Sequence, residues 1–251
     1  MEPDNILETK NLVKEFKGFV AVSDVSLRIR RGMIHGLIGP NGAGKTTVFN
    51  LLTKFLAPTS GRIIFKGVDI TGEKPAEIAR RGLGRSFQIS AVFPHLTVLE
   101  NVRIALQRGM KTSFRFWQSD TTLKVLDQEV HELLAQVGLE NFAHMVAVEL
   151  PYGRKRTLEV ATTLALGPEL LLLDEPTQGL GLEDLERVKD LIRKVAASRT
   201  VLMVEHNMSV VSDLCSVITV LQRGSVLAEG SYAEVSTNPR VLEAYLGANH
   251  A

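Results

Sequence analysis

The most informative segment of this chain is Gly39-Pro40-Asn41-Gly42-Ala43-Gly44-Lys45-Thr46, with Thr47 next. It matches the phosphate-binding pattern G-x-x-x-x-G-K-[ST], which requires a strand before it and a helix after it. The apolar residues 34–38 predict a short buried strand, and the run 45–55 predicts the helix. The glycines allow the backbone to wrap closely around an anion, and successive amides at the helix N-terminus point donors at it. The sequence therefore predicts a P-loop in an α/β fold.

The residue types of the loop also predict its ligand. The Lys45 ammonium can reach the β- and γ-phosphates of a nucleotide, and the Thr46 hydroxyl can ligate Mg²⁺. We therefore expect residues 39–47 to bind the nucleotide, with Thr46 also serving the metal. A P-loop alone leaves kinases, GTPases, helicases and transport ATPases open as classes.

Two carboxylates at the end of a later strand narrow these classes. Leu170-Leu171-Leu172-Leu173-Asp174 predicts a continuous apolar strand of the buried parallel type, and Glu175 follows directly. Ligands of open α/β sheets gather beyond the carboxyl ends of the strands. We expect Asp174 to serve the magnesium through its water shell and Glu175 to deprotonate the attacking water as general base. A pair of solvated or helix-capping acids is the alternative interpretation.

A histidine follows the next predicted strand, Thr200 to Glu205. In its neutral form His206 can hydrogen-bond the γ-phosphate and hold the water in position for Glu175. A single histidine is a weak signal, because most histidines are structural or lie on the surface. We interpret four others in that ordinary way: His35, His95, His131 and His144.

The composition excludes several other classes. Lys+Arg 29 against Asp+Glu 28 leaves a net charge of +1 over 251 residues, so no basic field favours a nucleic-acid partner. One cysteine, Cys215, excludes an internally disulfide-bonded secreted scaffold. No apolar run reaches the roughly 18 residues of a membrane span, and the first residues lack the pattern of a signal peptide. We expect a soluble intracellular chain.

The order of predicted elements indicates one body with an inserted helical part. From about Leu96 to Gly138 the apolar spacing is helical, interrupted at residues 109–119, and no strand signal occurs there until Leu170. After that point strands and helices alternate as in parallel α/β folds. We therefore predict a single domain over 1–251, with a core formed by 1–90 and 161–251 and a helical subdomain at 91–160.

These residues, in this order, resemble the ATP-binding cassette (ABC) family of transport ATPases over nearly the whole chain. By that resemblance Asp174-Glu175 is the Walker B pair and His206 the switch histidine. Gln88 resembles the Q-loop glutamine, which contacts magnesium and relays to the membrane partner. Phe16 lies where the family stacks an aromatic ring on adenine, although a place in the core is the alternative.

The signature sequence departs from the family's usual Leu-Ser-Gly-Gly-Gln and reads Leu150-Pro151-Tyr152-Gly153-Arg154. Only Leu150 and Gly153 match the general pattern, and Gly181 stands where the D-loop usually has an aspartate. Several segments nevertheless resemble the branched-chain amino-acid importer branch: Tyr152-Gly153, Arg156, Leu158-Glu159, the long insertion after Gln88 and the ending from Asn238-Pro239 to Gly247.

The resemblance implies a RecA-like P-loop nucleotide-binding core with an antiparallel β edge and an inserted α-helical signature subdomain. Two such chains would sandwich two ATP molecules with Mg²⁺, each held by the P-loop of one chain and the signature of the other. Opening and closing would drive an integral-membrane permease, with a solute-binding protein as an indirect partner and no nucleic acid involved. The chain would lie in the cytoplasm, peripheral on the inner face of the membrane. The inserted Phe114-Arg115-Phe116-Trp117 either contacts that permease or forms an ordinary loop.

The proline in the signature bears on whether the partner ATPase is a second copy of this chain or a different chain. Pro151 has neither the hydroxyl nor the amide hydrogen that the family's serine offers to the γ-phosphate across the dimer. The N–H of Gly153 and the helix start at Arg154 still point a positive dipole end there. Arg154 either adds charge or is solvated. We expect a heterodimer with a similar ATPase that carries the serine, and a homodimer is the alternative.

Other functions stay as alternatives at this stage. A soluble ABC-type ATPase acting on nucleic acid or ribosomes generally has two cassettes, coiled-coil insertions or CxxC pairs, none of which is present. A GTPase would need an Asn-Lys-x-Asp motif, and a non-enzymatic module would have lost Lys45, Asp174 or Glu175. The transported solute cannot be read from these residues; branched-chain or other amino acids, urea and amide relatives, and aromatic acids stay open.

Overall fold

The computed structural model describes residues 4–86, 92–109 and 120–247, which form two sheets surrounded by helices. The larger sheet has six strands, which are, in spatial order, β11 (Ser225–Gly230), β10 (Val217–Gln222), β4 (Ile34–Ile38), β9 (Thr200–Val204), β8 (Leu170–Asp174) and β7 (Leu83–Ser86). All neighbours pair in parallel except β11, which is antiparallel to β10. The strands β4, β8 and β9 are buried at every position, as their continuous apolar sequences predict.

The second sheet is antiparallel and is built mainly from the first seventy residues. Its strands are, in spatial order, β2 (Phe19–Val25), β1 (Asn5–Phe16), β5 (Ser60–Phe65) and β6 (Val68–Asp69), with β3 (Arg28–Arg30) also paired to β1. This sheet is the antiparallel edge that the fold class implied. Alternating apolar residues at 6–13 and 20–29 predict two half-buried strands in this part of the chain; the second of them is in fact divided into β2 and β3.

The helices fill the spaces between these strands. Nine α-helices lie in the described ranges: α1 (Lys45–Leu52), α2 (Pro75–Arg80), α3 (Val98–Gly109), α4 (Asp120–Val137), α5 (Tyr152–Leu164), α6 (Leu182–Ala196), α7 (Met208–Leu214), α8 (Tyr232–Ser236) and α9 (Pro239–Gly247). The first is three residues shorter than the predicted run to Phe55. Lys54 has a φ of 62°, which a right-handed helix cannot accommodate.

The strand β7 was missed by the sequence pattern. Its residues Leu83-Gly84-Arg85-Ser86 contain one large apolar side chain, so neither alternation nor an apolar run marks them. Burial here comes from close packing instead, because a Cβ on Gly84 would lie 2.9 Å from Pro168. This strand matters for the site, because it brings Arg85 beside β8.

The helical part shares a hydrophobic core with the large sheet. Val102 of α3, Leu134 of α4 and Leu158 of α5 belong to the same buried cluster as Leu171 of β8 and Met203 of β9. The described residues therefore form one continuous body there. Helix α5 continues to Leu164, and the division of the chain at 91 and 160 stays a prediction.

The topology brings the predicted site residues to one edge. The strands β4, β9, β8 and β7 run parallel, so Ile38, Val204, Asp174 and Ser86 end at the same side of the sheet. The loops that follow these strands meet there. None of the helices in the described ranges is long and apolar enough to cross a membrane.

Candidate nucleotide site

The P-loop connects the buried strand β4 to α1 in the way the sequence predicted. Gly39 has a φ of 150°, and a Cβ at this position would lie 2.2 Å from the carbonyl oxygen of Leu221, so no other residue fits. The C-terminal part of the loop is hydrogen-bonded to the β10–β11 turn, because the Gly224 N–H donates to the Ala43 carbonyl at 3.0 Å. The loop is therefore held from the neighbouring strand before any ligand binds.

The Lys45 ammonium lies within the concavity of this loop. Its Nζ donates to the carbonyl oxygens of Gly39 at 2.6 Å and Pro40 at 3.0 Å. Burial lowers the pKa of Lys45, and the negative charges of Glu175 and Asp174 act in the opposite direction. The cation thus lies where an anion held by the loop amides would be neutralised.

The two threonines after Lys45 begin helix α1. Thr46 is exposed and Thr47 half-buried, with Val48 and Phe49 behind them in the core. The amides of this first turn have no helical partners of their own and carry the positive end of the helix dipole. The N-terminus of α1 can therefore accept a phosphate, and the exposed Thr46 hydroxyl can serve a metal.

Asp174 ends β8 with its carboxylate buried, and its two oxygens differ. Oδ2 accepts a hydrogen bond from Nη2 of Arg85 at 2.8 Å, whereas Oδ1 is buried without a hydrogen-bond partner in the described part of the chain. An ionised buried oxygen without a partner is costly, and a hydrated cation would satisfy it. Magnesium is usually bound through one or two carboxylates plus substrate phosphates, so Asp174 and Thr46 fit this ion.

Glu175 follows Asp174 in a conformation that is rare for this residue type. Its φ is 48°, and its N–H donates to the Val204 carbonyl of β9 at 3.0 Å, which fixes the backbone beyond the sheet. The Oε1 atom of Glu175 lies 3.7 Å from Nδ1 of His206, whose side chain is 55% exposed. The structure therefore brings together the carboxylate and the imidazole that the sequence predicted to act on the same water.

A neighbouring carboxylate that the sequence analysis did not single out holds these loops. Glu205 is 1% exposed, and its Oε1 accepts hydrogen bonds from the Thr177 N–H and hydroxyl. Its Oε2 accepts from the N–H groups of His206 at 3.1 Å and Asn207 at 3.3 Å. Glu205 thus joins the loop after Glu175 to the loop of His206. The only sequence signal for it is a charged residue at the end of an apolar strand.

Phe16 lies at the tip of the β1–β2 hairpin and does not belong to the core. Its exposed fraction is 39%, and it stands directly opposite Phe19, which is 69% exposed. The Lys14 ammonium lies 4.9 Å from the centroid of the Phe16 ring. The core interpretation of Phe16 is therefore wrong, and its stacking on adenine stays a prediction.

The signature residues lie at the start of α5 and contact the loop before α6. Leu150 is buried, Pro151 is the N-cap residue, and the Tyr152 hydroxyl donates to the Gln178 carbonyl at 3.3 Å. A Cβ on Gly153 would lie 2.3 Å from Cγ of Asp184, so this close approach requires glycine. In the described residues no hydrogen bond joins 150–154 to the P-loop.

The other residues that the sequence singled out have different placements. Arg154 donates to the Gly138 carbonyl at 3.0 Å and lies 5.1 Å from the Phe142 ring centroid, so its guanidinium is engaged within its own chain. Gln88 and the segment Phe114–Trp117 lie outside the described residues. His35 is structural as expected, because it is buried and its Nε2 lies 2.8 Å from the Thr219 hydroxyl.

Comparison with known proteins agrees with this geometry. Residues 22–178 match the model of the family described as ABC transporter, a range that covers more than half of the chain. The chain belongs to the ABC transporter family. Residues 225–251 of this ABC protein also match a second model, described as branched-chain amino acid ATP-binding cassette transporter.

Individual relatives of this ABC protein support both matches. The high-affinity branched-chain amino acid transport ATP-binding protein BraF of Pseudomonas aeruginosa is 39% identical over 249 residues, or 96% of this chain and 98% of BraF. The ADP conformation of MJ1267, an ATP-binding cassette, has a TM-score of 0.85 at 28% identity over 97% of this chain and 99% of MJ1267. The dimeric post-hydrolysis state of MJ0796 with ADP and Pi has a TM-score of 0.77 at 27% identity over 90% and 98%.

The comparisons confirm the predicted class. This ABC protein is an ATP-hydrolysing transporter subunit with the RecA-like core that the resemblance implied. They favour transport over the alternative of a soluble ABC-type ATPase acting on nucleic acid or ribosomes.

Proposed function

We propose that this ABC ATPase powers the import of branched-chain amino acids, or of other amino acids and related small solutes. The observation that carries this proposal is the match of residues 225–251 to the branched-chain family model, together with 39% identity to BraF along nearly the full length. The C-terminal match is independent of the P-loop, which every ABC ATPase shares.

Nucleotide binding in this proposal rests on the P-loop and the N-terminus of α1. Residues 39–47 hold the phosphates through backbone N–H groups, and Lys45 leaves the carbonyls of Gly39 and Pro40 to contact the β- and γ-phosphates. Phe16 stacks on the adenine, because its ring at the hairpin tip is exposed and therefore accessible to a base. The site thus anchors ATP at both ends.

Hydrolysis depends on Glu175 and His206. The half-buried Glu175 carboxylate takes the proton of the attacking water, and the neutral His206 ring, 3.7 Å away, keeps that water and the γ-phosphate aligned. Glu205 accepts a hydrogen bond from the backbone N–H of His206 and so keeps His206 in place beside Glu175. Proton removal and alignment therefore come from the ends of two neighbouring strands.

The chain also fits magnesium as a cofactor. Thr46, Asp174 and, by resemblance, Gln88 would hold the ion, with Asp174 acting through Oδ1, which has no hydrogen-bond partner among the described residues. When bound, magnesium neutralises charge on the phosphates. Lys45 contributes to the same neutralisation from the loop side.

A second ABC ATPase chain completes the site, and we favour a different chain over a second copy. In this arrangement Leu150, Pro151, Tyr152, Gly153 and Arg154 face the partner's nucleotide. Pro151 offers no N–H and no hydroxyl, and Arg154 is bonded to Gly138 of its own chain. A partner with serine at the equivalent position would supply the missing donor to this chain's ATP.

The remaining partners follow from the transport role. The pair of ATPases docks on integral-membrane permease subunits at the inner face of the cell membrane, and a solute-binding protein delivers the solute to the permease from outside. The near-neutral charge of +1 supports the absence of a nucleic-acid partner.

The transport role is tested by solute uptake in the organism that carries the gene. Deletion should abolish high-affinity uptake of labelled leucine, isoleucine and valine, and a plasmid copy of the wild-type chain should restore it. An uptake system of unrelated type, measured in the same cells, is the control. Unchanged uptake of all three amino acids in the deletion strain would exclude branched-chain amino acids as the solutes and leave the other small solutes of the proposal.

The pairing is tested by the ATPase rate of the purified chain. The wild-type chain alone should be slow, and Pro151→Ser or a serine-containing partner chain should each raise the rate, because one lost donor costs about 10²–10³-fold. Equal rates for wild type and Pro151→Ser, with no gain from the partner, would contradict the heterodimer.

A further inference from the structure

Arg85 and Asp174 form a buried ion pair at the edge of the nucleotide site. Nη2 of Arg85 lies 2.8 Å from Oδ2 of Asp174, and the two side chains are 9% and 1% exposed. Arg85 comes from β7 and Asp174 from the adjacent strand β8. Removing both charges from water costs free energy that can equal or exceed their mutual attraction. Net stabilisation of the fold is therefore a weak explanation for this ion pair, and we look instead at how it orients the two side chains.

The guanidinium is also held from the side of the P-loop helix. Its Nη1 donates to Oδ1 of Asn50 at 2.6 Å and to the Thr53 hydroxyl at 3.2 Å, and its Cζ lies 5.7 Å from the Phe49 ring centroid. These three residues belong to α1 or follow it directly, and α1 begins at Lys45. A single planar group therefore connects β7, β8 and the helix that starts in the P-loop.

This connection leaves the two oxygens of Asp174 unequal. Oδ2 accepts the hydrogen bond from Arg85. Oδ1 is buried and has no hydrogen-bond partner in the ranges the structure describes. A carboxylate fixed through one oxygen cannot rotate freely, so the other oxygen keeps one position relative to Lys45 and Thr46. Groups that fix a metal-serving carboxylate usually matter for the metal nearly as much as the carboxylate itself.

We propose that Arg85 is a positioning residue for magnesium: it clamps Asp174 against α1 so that Oδ1 stays available to the hydrated cation beside the phosphates. This inference rests on the proposed magnesium role of Asp174. A purely structural ion pair would stabilise the fold without changing how much magnesium strengthens nucleotide binding. The two interpretations therefore differ in a binding measurement that involves no turnover.

The test is calorimetric titration of the full chain with the non-hydrolysable analogue AMP-PNP, once with Mg²⁺ and once with EDTA. The ratio of the two dissociation constants is the magnesium gain. We expect Arg85→Met to reduce this gain by about 10–100-fold, the usual effect of removing a partner of a metal-serving group. Affinity in EDTA should change less than about twofold, because Arg85 does not contact the loop amides. Arg85→Lys should keep part of the gain, since an ammonium can still pair with Asp174.

Two further variants separate positioning from loss of stability. Lys189→Met removes another buried cation, which pairs with Asp213 away from the site, and should lower the melting temperature while leaving the magnesium gain unchanged. Asn50→Ala keeps the ion pair and removes one of the guanidinium's contacts on the α1 side, leaving those with Thr53 and Phe49, and should lose part of the gain; it also provides the test if Arg85→Met does not fold.

The outcomes that would overturn the inference are distinct. An unchanged or increased magnesium gain in Arg85→Met and Asn50→Ala, with a normal gain in the wild type, would show that Arg85 is only structural or repels the cation. Absence of any magnesium gain in the wild type would instead overturn the proposed role of Asp174, and this inference with it.

Discussion

Nδ1 of His206 lies 3.7 Å from Oε1 of Glu175. Glu175 directly follows β8, and His206 lies just beyond the end of the neighbouring strand β9. The distance is longer than a hydrogen bond and leaves the two groups free to contact a common water or phosphate. The backbone of both residues is fixed, Glu175 by the carbonyl of Val204 and His206 by the carboxylate of Glu205.

We expect His206→Gln to lower the ATPase rate by about 10²-fold, the usual cost of losing one group that aligns the reacting atoms. ATP affinity should change little, because Lys45 and the loop amides carry the binding. Steady-state rates and nucleotide titration measure the two effects. His144→Gln, an exposed histidine outside the site, is the matched control. A rate equal to that of wild type would remove His206 from the mechanism.

Lys45→Ala should weaken ATP binding sharply while the protein stays folded. The ammonium is the charged group within the loop, and hydrogen bonds of charged groups are about twice as strong as neutral ones. The variant also loses the contacts of Nζ with the Gly39 and Pro40 carbonyl oxygens. Equilibrium titration with ATP gives the affinity, and circular dichroism checks the fold. Normal affinity in the folded variant would contradict the P-loop assignment.

Gly153 in the signature and Gly181 at the start of α6 should respond differently to the same change. Gly153→Ala should destabilise the protein by about 1–3 kcal/mol, because the added methyl would overlap Asp184. Gly181→Ala should cost less, since its φ is −72° and no atom lies within 4 Å of the added Cβ, which leaves only the lower preference for alanine at the N-cap of α6. Urea unfolding of both variants measures the difference. Equal stability of the two would mean that α5 and α6 do not approach as described.

The buried His35 should make stability depend on pH. Burial, and secondarily the positive charge of Arg30, lower the pKa of His35 to about 4. Above pH 6.5 the ring is neutral in both states; as the pH falls below 6.5 the unfolded chain takes up the proton first, so stability is lost down to about pH 4.

The loss that His35 causes between pH 7.5 and 5.5 should be about 1 kcal/mol, from 1.4 kcal/mol per unit of pKa difference. Other groups also titrate in this range, so the measured quantity is the difference between wild type and His35→Gln in urea unfolding at both values. The same loss in the variant would assign the pH dependence to other groups.

The sequence predicted the parts of the site that lie on strong local patterns. The P-loop, Asp174 and His206 each lie at or just after the end of a short, mainly apolar strand, and the parallel topology then brings these strand ends together. The position of these residues was therefore available from pattern and topology alone.

The parts that were missed depend on contacts between distant segments. Arg85 lies on a strand with a weak pattern, and nothing in Leu83-Gly84-Arg85-Ser86 indicates that its partner is Asp174, 89 residues away. The sequence shows Glu205 only as a charged residue after an apolar strand. Its role in joining two loops could not be predicted, because its partners Thr177 and Asn207 lie in different loops. The exposure of Phe16 likewise depends on how the β1–β2 hairpin sits on the body.

We propose that Glu175, directly after β8, is the general base for ATP hydrolysis in this transporter subunit. The most direct measurement compares the Mg-ATP turnover and ATP affinity of the purified wild type and Glu175→Gln, with contaminating ATPase removed. We predict unchanged affinity, turnover lower by about 10²–10⁴-fold, and a dimer that ATP holds closed, visible as earlier size-exclusion elution. Near-wild-type turnover in Glu175→Gln would contradict the claim.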